Sequence, residues 1–216
     1  MKIFPPAPAL ALASAAALLM AAPTLSAAHS LPRGVWTNME DVYFAEGEGR
    51  PAQEWTAFRV LDDGRWQRID AFGEGLTELS AEPIPGLSRR GEDGWQIGAS
   101  ELRRARDMTC WFSVRKFAAK PDGSDDWTFA NNLPVYDQGG RVFLDGEGIA
   151  PDVTMRVRNV TWAKGSSTRP ALVLYAHRDD PARAESYAWT SPDAGMVGIN
   201  LRWVQGSCSP VQPDGE

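Results

Sequence analysis

The chain has 216 residues, of which 10% are aromatic, and it contains nine tryptophans, two cysteines and two histidines, with a formal net charge of −6 at pH 7. This negative balance argues against a nucleic-acid partner, which needs a basic surface, and against adsorption to an anionic membrane. Two histidines are too few for a zinc site built from imidazoles, and we predict no metal centre and no cofactor.

The first 28 residues predict a secretory signal peptide. Lys2 is their only charge, an apolar run follows from Ala9 to Ala22, and small residues precede His29. The run of roughly 14 residues is too short to cross a bilayer about 30 Å thick as a helix, so we expect cleavage before His29 rather than a retained membrane anchor. Residues 29–216 then form one periplasmic or secreted domain with no membrane span.

The first part of this domain predicts strands joined by turns. The stretch from Gly34 to Phe44 indicates a first strand that is apolar on both faces. Residues 54–61 and 65–72 predict a hairpin around Asp62-Asp63-Gly64, where glycine supplies the positive φ of a tight turn.

Prolines and glycines interrupt every periodic run between residues 73 and 100, which predicts a long surface loop with one short strand at Trp95 to Ile97. The stretch from Ser100 to Asp107 predicts a turn or two of helix capped by Ser100.

The alternating stretch from Met108 to Phe117 predicts a central strand that carries Cys110. Cys208 follows the last predicted strand, 98 positions later. In an exported protein these cysteines predict a disulfide that ties a middle strand to the last one. Two buried thiols are the alternative.

A carboxylate-rich turn follows, in which Asp122, Ser124 and Asp126 have the one-three-five spacing of a calcium loop. Trp127 stands where such a loop needs glycine, and Leu133 stands where it needs a bidentate glutamate. We therefore interpret this segment as a hairpin turn.

The remaining chain predicts further strands at residues 126–130, 141–144, 153–162, 171–177, 186–190 and 196–205. The apolar phase of residues 153–162 slips near Asn159, which indicates a β-bulge. Residues 171–177 are apolar on both faces, which indicates a central strand. A polar tail is expected to fray from about residue 210. The total of about ten strands predicts a single antiparallel barrel with little helix, or alternatively a two-sheet sandwich or jelly roll.

The sequence predicts no catalytic residue. His177 has no Gly-x-Ser-x-Gly partner motif, and Glu40 and Asp41 would point to opposite faces of a strand. Arginines inside apolar strands, such as Arg156 and Arg158, indicate either a wetted sheet face or a cavity. In a cavity a guanidinium needs a carboxylate, a carbonyl, an aromatic face or a ligand anion.

Gly34-Val35-Trp36 resembles the Gly-x-Trp signature of lipocalins, secreted up-and-down barrels that hold apolar ligands. In that family the tryptophan closes one end of the barrel under an arginine from near the last strand, and the resemblance implies this role for Arg202. A bridge such as Cys110 to Cys208 is also common there. The stretch that begins at Gly34 is also similar to the opening of phycobiliprotein chromophore lyases, which form related barrels.

Three functions remain open from the sequence. The first is an exported barrel that binds a small apolar or amphipathic ligand through Trp36, Arg156, Tyr175, Arg202 and Trp203. The second is a sandwich that recognises or cleaves glycans, because tryptophan rings stack on sugars. The third is an envelope accessory protein without catalytic activity.

Overall fold

The computed structural model describes residues 30–51, 53–92 and 94–212, which form fourteen strands and one helix. In chain order they are β1 (Gly34–Thr37), α1 (Met39–Ala45), β2 (Ala57–Val60), β3 (Trp66–Arg68), β4 (Leu87–Arg90), β5 (Gly94–Ile97), β6 (Ser100–Ala105), β7 (Asp107–Arg115), β8 (Trp127–Tyr136), β9 (Gln138–Leu144), β10 (Val153–Val160), β11 (Ala171–Arg178), β12 (Ser186–Thr190), β13 (Val197–Asn200) and β14 (Val204–Pro210). The prediction of a mostly β chain with little helix is confirmed. The predicted signal peptide and its cleavage point lie outside the described residues.

The strands form three antiparallel sheets. Their orders are β3-β2-β1-β6-β5-β4, β12-β11-β10-β9 and β13-β14-β7-β8. The two four-stranded sheets use eight consecutive strands, and the first of these, β7, pairs with the last, β14. Strand β1 pairs with β2 and β6 rather than with the last strand, so the whole chain does not close into one barrel.

The main core lies between the two four-stranded sheets. Alternate residues point inward, as the period of two in a strand requires, so that Met108, Cys110 and Phe112 of β7 meet Val153 and Met155 of β10. All five are at most 3% exposed. Burial of large apolar side chains of this kind stabilises a fold by about 1.5 to 3 kcal/mol each, so this two-layer, sandwich-like contact is the main source of stability.

The predicted disulfide is confirmed. Cys110 and Cys208 stand directly opposite each other in the β7–β14 ladder, and their sulfurs are 2.06 Å apart. Both side chains lie in the main core, at 3% and 0% exposure. The bridge therefore ties a middle strand to the last strand, inside the apolar layer.

The six-stranded sheet has a small core on each face. Trp36 and Phe58 belong to one face, and Val35 and Ile69 belong to the other. The second face packs against Tyr136 at the end of β8, whose hydroxyl donates to the carbonyl of Asp70 over 3.0 Å. This contact attaches the first sheet to the sheet that contains β8. The predicted hairpin of residues 54–61 and 65–72 is confirmed, because β2 pairs with β3.

The predicted first strand is too long. It ends at Thr37, and α1 begins at Met39. The side chain of Asn38 causes the change: its amide donates to the carbonyl of Glu54, and its carbonyl oxygen accepts from the backbone N–H of Thr56, both over 2.8 Å. Asparagine side chains compete with a ladder in this way, which lets the backbone turn into the helix.

The short helix predicted from Ser100 is also wrong, because Ser100–Ala105 forms β6 between β1 and β5. Buried Ser100 and Leu102 follow a strand period, and pairing on both edges outweighs the weak helix preference of eight residues. The loop predicted for residues 73–100 contains β4 in addition to the expected strand at Trp95 to Ile97, and β4 pairs with β5.

The apolar phase change in β10 has a different cause from the predicted bulge at Asn159. Val153, Met155 and Val157 face the main core, whereas Val160 belongs to a separate cluster on the opposite face. Both faces of the strand are covered, so both parities are apolar. The register does shift, between Arg156 and Arg158, and the extra residue lies on β9.

The strands predicted on either side of Gly139-Gly140 meet at a different point. β8 runs to Tyr136 and β9 starts at Gln138, so both glycines lie inside β9. Gly139 has φ of 90°, and a Cβ there would come within 3.1 Å of Cγ of Met39. Glycine thus provides both the bulge and the close approach of α1 to β9. The predicted central strand at 171–177 is confirmed as β11, which pairs with β10 and β12.

Candidate functional site

The outer face of the β9–β12 sheet, which points away from the main core, carries the candidate site. Because paired residues of antiparallel strands project from the same face, the register defines two rows of side chains across the sheet. One row is Arg141, Arg156, Tyr175 and Tyr187; the neighbouring row is Gln138, Arg158, Val173 and Trp189. Arginines on β9 and β10 therefore stand beside aromatic residues on β11 and β12.

A concave groove lies over these rows, under α1 and the segment that joins β10 to β11. We call it the aromatic groove; its volume is about 700 Å³, and it is defined by the rings of Tyr43, Phe44, Trp162, Tyr175, Tyr187 and Trp189. Tyr187 is 64% exposed and Trp189 is 71% exposed. Arg158 and Arg169 supply the charged side chains of the lining, and no described lining residue is a carboxylate.

A buried ion pair forms the floor of the groove. Arg158 is 3% exposed and donates from Nε to Glu40 of α1, which is 1% exposed. Glu40 also accepts from the backbone N–H of Thr161 over 3.0 Å. The guanidinium carbon lies 3.6 Å from the ring centre of Tyr43. The pair therefore attaches α1 to the sheet and holds a tyrosine ring at the groove.

The charge on Arg158 is stable although the side chain is buried. Burial lowers the pKa of Arg158, but the hydrogen bond and the charge of Glu40 outweigh burial and raise the pKa above its ordinary value. Its Nη2 atom is buried without a hydrogen-bond partner among the described residues. An unmade hydrogen bond of a buried charged group costs free energy.

Trp162 has an unusual backbone conformation. Its φ is 63°, in the left-handed region that bulky side chains rarely adopt. Its indole Nε1 donates to the carbonyl of Arg169 over 2.8 Å, which closes the segment between β10 and β11. Backbone strain of this kind costs about 1 to 3 kcal/mol and concentrates at functional sites.

A second cavity of about 350 Å³ adjoins the groove, with Tyr43 on the lining of both. Arg141 and Arg156 line it, together with apolar and aromatic residues of α1 and its surroundings. Nε and Nη2 of Arg156 are buried without hydrogen-bond partners among the described residues. Burial first, and then the charges of Arg158 and Arg141, lower the pKa of Arg156.

The structure brings two of the five predicted ligand-binding residues together. Tyr175 lines the groove, and the guanidinium of Arg156 lies 5.7 Å from its ring centre. Trp203 packs instead against the main core, beneath the guanidinium of Arg178 at 5.3 Å. Arg202 is exposed in the turn between β13 and β14.

Trp36 lies on β1 of the six-stranded sheet, which contains none of the other four predicted residues. It is 8% exposed, and its Nε1 donates to the carbonyl of Pro32 over 2.8 Å. Its partner on the same face of the sheet is Arg104 of β6. The contact between Trp36 and Arg202 that the lipocalin resemblance implies is therefore not formed.

Sequence reasoning missed most of the groove. The sequence predicts a strand at Glu40, where the structure has α1, and it predicts Trp162 inside the strand of residues 153–162, whereas β10 ends at Val160. Tyr187 and Trp189 did carry a signal, because two aromatic residues at a spacing of two share one face of a strand. Placed beside Tyr175, they predict an aromatic surface once the order β11-β12 is known.

The carboxylate-rich turn is confirmed as a hairpin turn between β7 and β8. Asp122 accepts from the backbone N–H of Ser124 over 2.9 Å and from its hydroxyl over 2.6 Å. In residues 30–51, 53–92 and 94–212, no group of three or more histidine, cysteine, aspartate or glutamate side chains is arranged to hold a metal ion.

Comparisons with protein-family models, with curated proteins and with solved structures find no match for this chain. Within the described part of the chain, no helix has the length and apolar character needed to cross a membrane.

Proposed function

We propose that the protein binds a small amphipathic ligand in the aromatic groove. The observation that carries this proposal is the exposure of Tyr187 and Trp189 in a concave surface whose other walls are also aromatic. Exposed apolar patches in a groove are typical of binding sites, and a volume of about 700 Å³ lies in the range of small-molecule sites.

The chemistry of the lining suggests how the ligand is held. Flat apolar groups gain most from aromatic walls, because each ring offers a large rigid surface at little cost in side-chain entropy. The buried pair of Glu40 and Arg158 supports the floor, and the stacking of Arg158 on Tyr43 limits the motion of that ring. The site therefore needs little rearrangement to accept a ligand.

The arrangement of β7 to β14 supports a finer proposal for the fold. The chain order runs around the two sheets, β7 pairs with β14, and β8 lies next to β9 as β12 does to β13. We propose that these eight strands are a flattened up-and-down barrel, similar in shape to lipocalins. Its interior is filled by the main core, so the ligand site is on the outside.

We further propose that the protein acts in the periplasm or outside the cell. The disulfide of Cys110 with Cys208 is consistent with an oxidising compartment, where such bonds persist. The predicted signal peptide before His29 supports the same location.

A carbohydrate is the second candidate ligand, because the exposed rings of Trp162 and Trp189 have the surface that sugar stacking needs. Glycan cleavage has less support. Glycosidases use a pair of carboxyl groups, and the described lining of the groove contributes none.

Fluorescence titration tests the proposal. Trp189 lines the groove, so its emission should change when the disulfide-bonded protein is titrated with dodecanoate, dodecanol, a bilin and a neutral oligosaccharide. The variant Trp189→Ala should lower affinity at least tenfold for the ligand that binds. Trp111→Ala is the matched control, because Trp111 is 42% exposed on β7 and lies outside the groove.

Binding of any of these lipids or bilins that Trp189→Ala weakens and Trp111→Ala leaves unchanged supports the proposal. Selective binding of the oligosaccharide would support the second candidate instead. No response from the whole panel, or equal effects of the two variants, would refute the assignment to the groove.

A further inference from the structure

The second cavity, beside the groove, carries two arginines that face each other. Arg141 of β9 and Arg156 of β10 are directly opposite in the antiparallel ladder. Like charges in this arrangement repel, which destabilises the pairing. Arg158 lies two residues further along the same face of β10, and its charge adds to the local positive potential.

The described residues compensate these two charges only in part, because the charge of Glu40 and the ring of Tyr175 act on Arg156 without an ion pair. Neither Arg141 nor Arg156 forms an ion pair within the described parts of the chain, whereas Arg158 has Glu40. Glu40 in turn is occupied by Arg158 and by the backbone N–H of Thr161. Arg141 donates from Nη1 to the carbonyl of Pro181 over 3.3 Å. The pair thus retains its positive charge in a partly desolvated place.

The geometry leaves space next to these guanidinium groups. The cavity lies between α1 and the sheet, with Gly139 on its lining, and the lining contributes no described carboxylate. Buried Nε and Nη2 of Arg156 are donors without partners among the described residues. A guanidinium presents its donors as a planar fork that matches a carboxylate or a phosphate, and both arginines line the cavity, so the pair is suited to an oxyanion.

The cavity and the aromatic groove meet at Tyr43, which lines both. On the sheet itself, Arg156 is the neighbour of Tyr175 in the same row. A single molecule can therefore lie with its acidic group at the arginine pair and its apolar body over the tyrosines. The positions of charge and ring surface are those of an amphipathic anion.

We infer that the second cavity is the subsite for the acidic group of the ligand, and that Arg141 and Arg156 select amphipathic anions over neutral molecules of the same size. This inference rests on the proposed function of the aromatic groove. Carboxylates and phosphates share the required oxyanion chemistry, and the test separates them.

The test compares dodecanoate, dodecyl phosphate and dodecanol in calorimetric titrations of the full disulfide-bonded protein. We expect at least one of the two anions to bind ten times more tightly than dodecanol. The anion that binds more tightly identifies the acidic group. Arg156→Gln and Arg141→Gln should each reduce that affinity about tenfold and leave the affinity for dodecanol unchanged.

Arg178→Gln is the matched control, since Arg178 lies on β11 of the same sheet and pairs with Glu185 over 3.3 Å. It should leave all three affinities unchanged. Without added ligand, Arg156→Gln should unfold at a urea concentration equal to or above that of the native protein, because it removes a charge that has no ion-pair partner and that lies opposite Arg141. A purely structural arginine would give the opposite result.

The failures of the two proposals are distinguishable. If neither the anions nor dodecanol binds but the bilin does, the proposed function stands and this inference is refuted. If the bilin does not bind either, the proposed function falls, and this inference falls with it. If dodecanol binds as tightly as both anions, the groove stands and the anion subsite is refuted. The inference is also overturned if the preference for anions survives in both Arg156→Gln and Arg141→Gln.

Discussion

The buried pair of Glu40 and Arg158 should dominate the stability of the site, and a double-mutant cycle can measure its contribution. Glu40→Leu leaves Arg158 charged at 3% exposure, and Arg158→Met leaves Glu40 charged at 1% exposure. Breaking a buried pair from one side costs about 3 to 5 kcal/mol, because the remaining charge is desolvated without a partner. For a protein of this size, that loss lowers Tm by roughly 6 to 20 °C.

The double variant removes both charges, so it should be far less destabilised than the sum of the two single variants. A cost of about 1 to 3 kcal/mol remains, since the backbone N–H of Thr161 loses the acceptor that Glu40 provides. The coupling free energy should therefore be about 3 kcal/mol or more.

Urea unfolding followed by circular dichroism, with the disulfide intact, gives the four free energies of unfolding that the cycle needs. A loss of less than about 1 kcal/mol in each single variant, or additive losses in the double variant, would show that the pair does not contribute in this way.

Three further changes test the rest of the structure. Trp162→Asn relieves the strain of the left-handed backbone but loses one hydrogen bond, so its free energy of unfolding should stay within about 1 kcal/mol of the native value. Its affinity in dodecanoate titrations should fall. A larger loss of stability with unchanged affinity would contradict the role of Trp162 in the groove. Gly206→Ala places a Cβ within 2.2 Å of the Phe112 ring and should cost about 1 to 3 kcal/mol or more in urea unfolding. Gly195→Ala is the control, because a Cβ at that position has no neighbouring atom within 4 Å. Equal losses in the two variants would contradict the close packing of the core at Gly206. Burial first, and then the charges of Arg141 and Arg156, lower the pKa of His177 below the ordinary histidine value of 6.5. The unfolded chain therefore binds a proton to this residue more readily than the folded chain, and stability falls as pH drops below 6.5. His177→Gln should reduce this acid-induced loss, which has a limit of about 1.4 kcal/mol per pH unit, in urea titrations at pH 7 and at lower pH; an unchanged pH dependence would contradict it.

The repulsion between Arg141 and Arg156 lowers the stability of the outer face of the β9–β12 sheet. The opposite face of β10 follows the ordinary pattern of buried valine and methionine. On the outer face, by contrast, arginines stand opposite each other and tryptophan is exposed. Departures of this kind from locally consistent packing are expected at functional sites.

The parts of the fold that follow from local alternation were predictable from the sequence. The strand of Cys110 follows from a period of two, and its bridge to Cys208 follows from the expected compartment. The central strand β11 follows from a run that is apolar on both faces. The end of β1 was not predictable, because it depends on hydrogen bonds from Asn38 to residues 54 and 56, which are distant in sequence. Strand β6 likewise depends on two neighbouring strands rather than on its own propensity.

The candidate site was predictable only in part, because it is assembled from segments that the sequence separates. Tyr175 and Arg156 could be proposed from their own strands. Glu40 and Arg158 are 118 positions apart, and only the helix after β1 brings them together. The Gly-Val-Trp motif indicates Trp36 as a ligand-binding residue, but Trp36 belongs to the core of the six-stranded sheet. Motifs near the start of the domain were therefore less informative than the alternation of Tyr187 and Trp189.

Photoaffinity labelling tests the central claim most directly. A dodecanoic acid analogue with a diazirine in its chain is irradiated in the presence of the disulfide-bonded protein, and the labelled peptides are identified by mass spectrometry. We expect labels on the peptides that contain Tyr43, Trp162 and Trp189, and we expect excess dodecanoate to suppress them. Labels on the peptides of β7 and β8 that expose Trp111 and Phe129, or labels spread evenly over the surface, would contradict the claim.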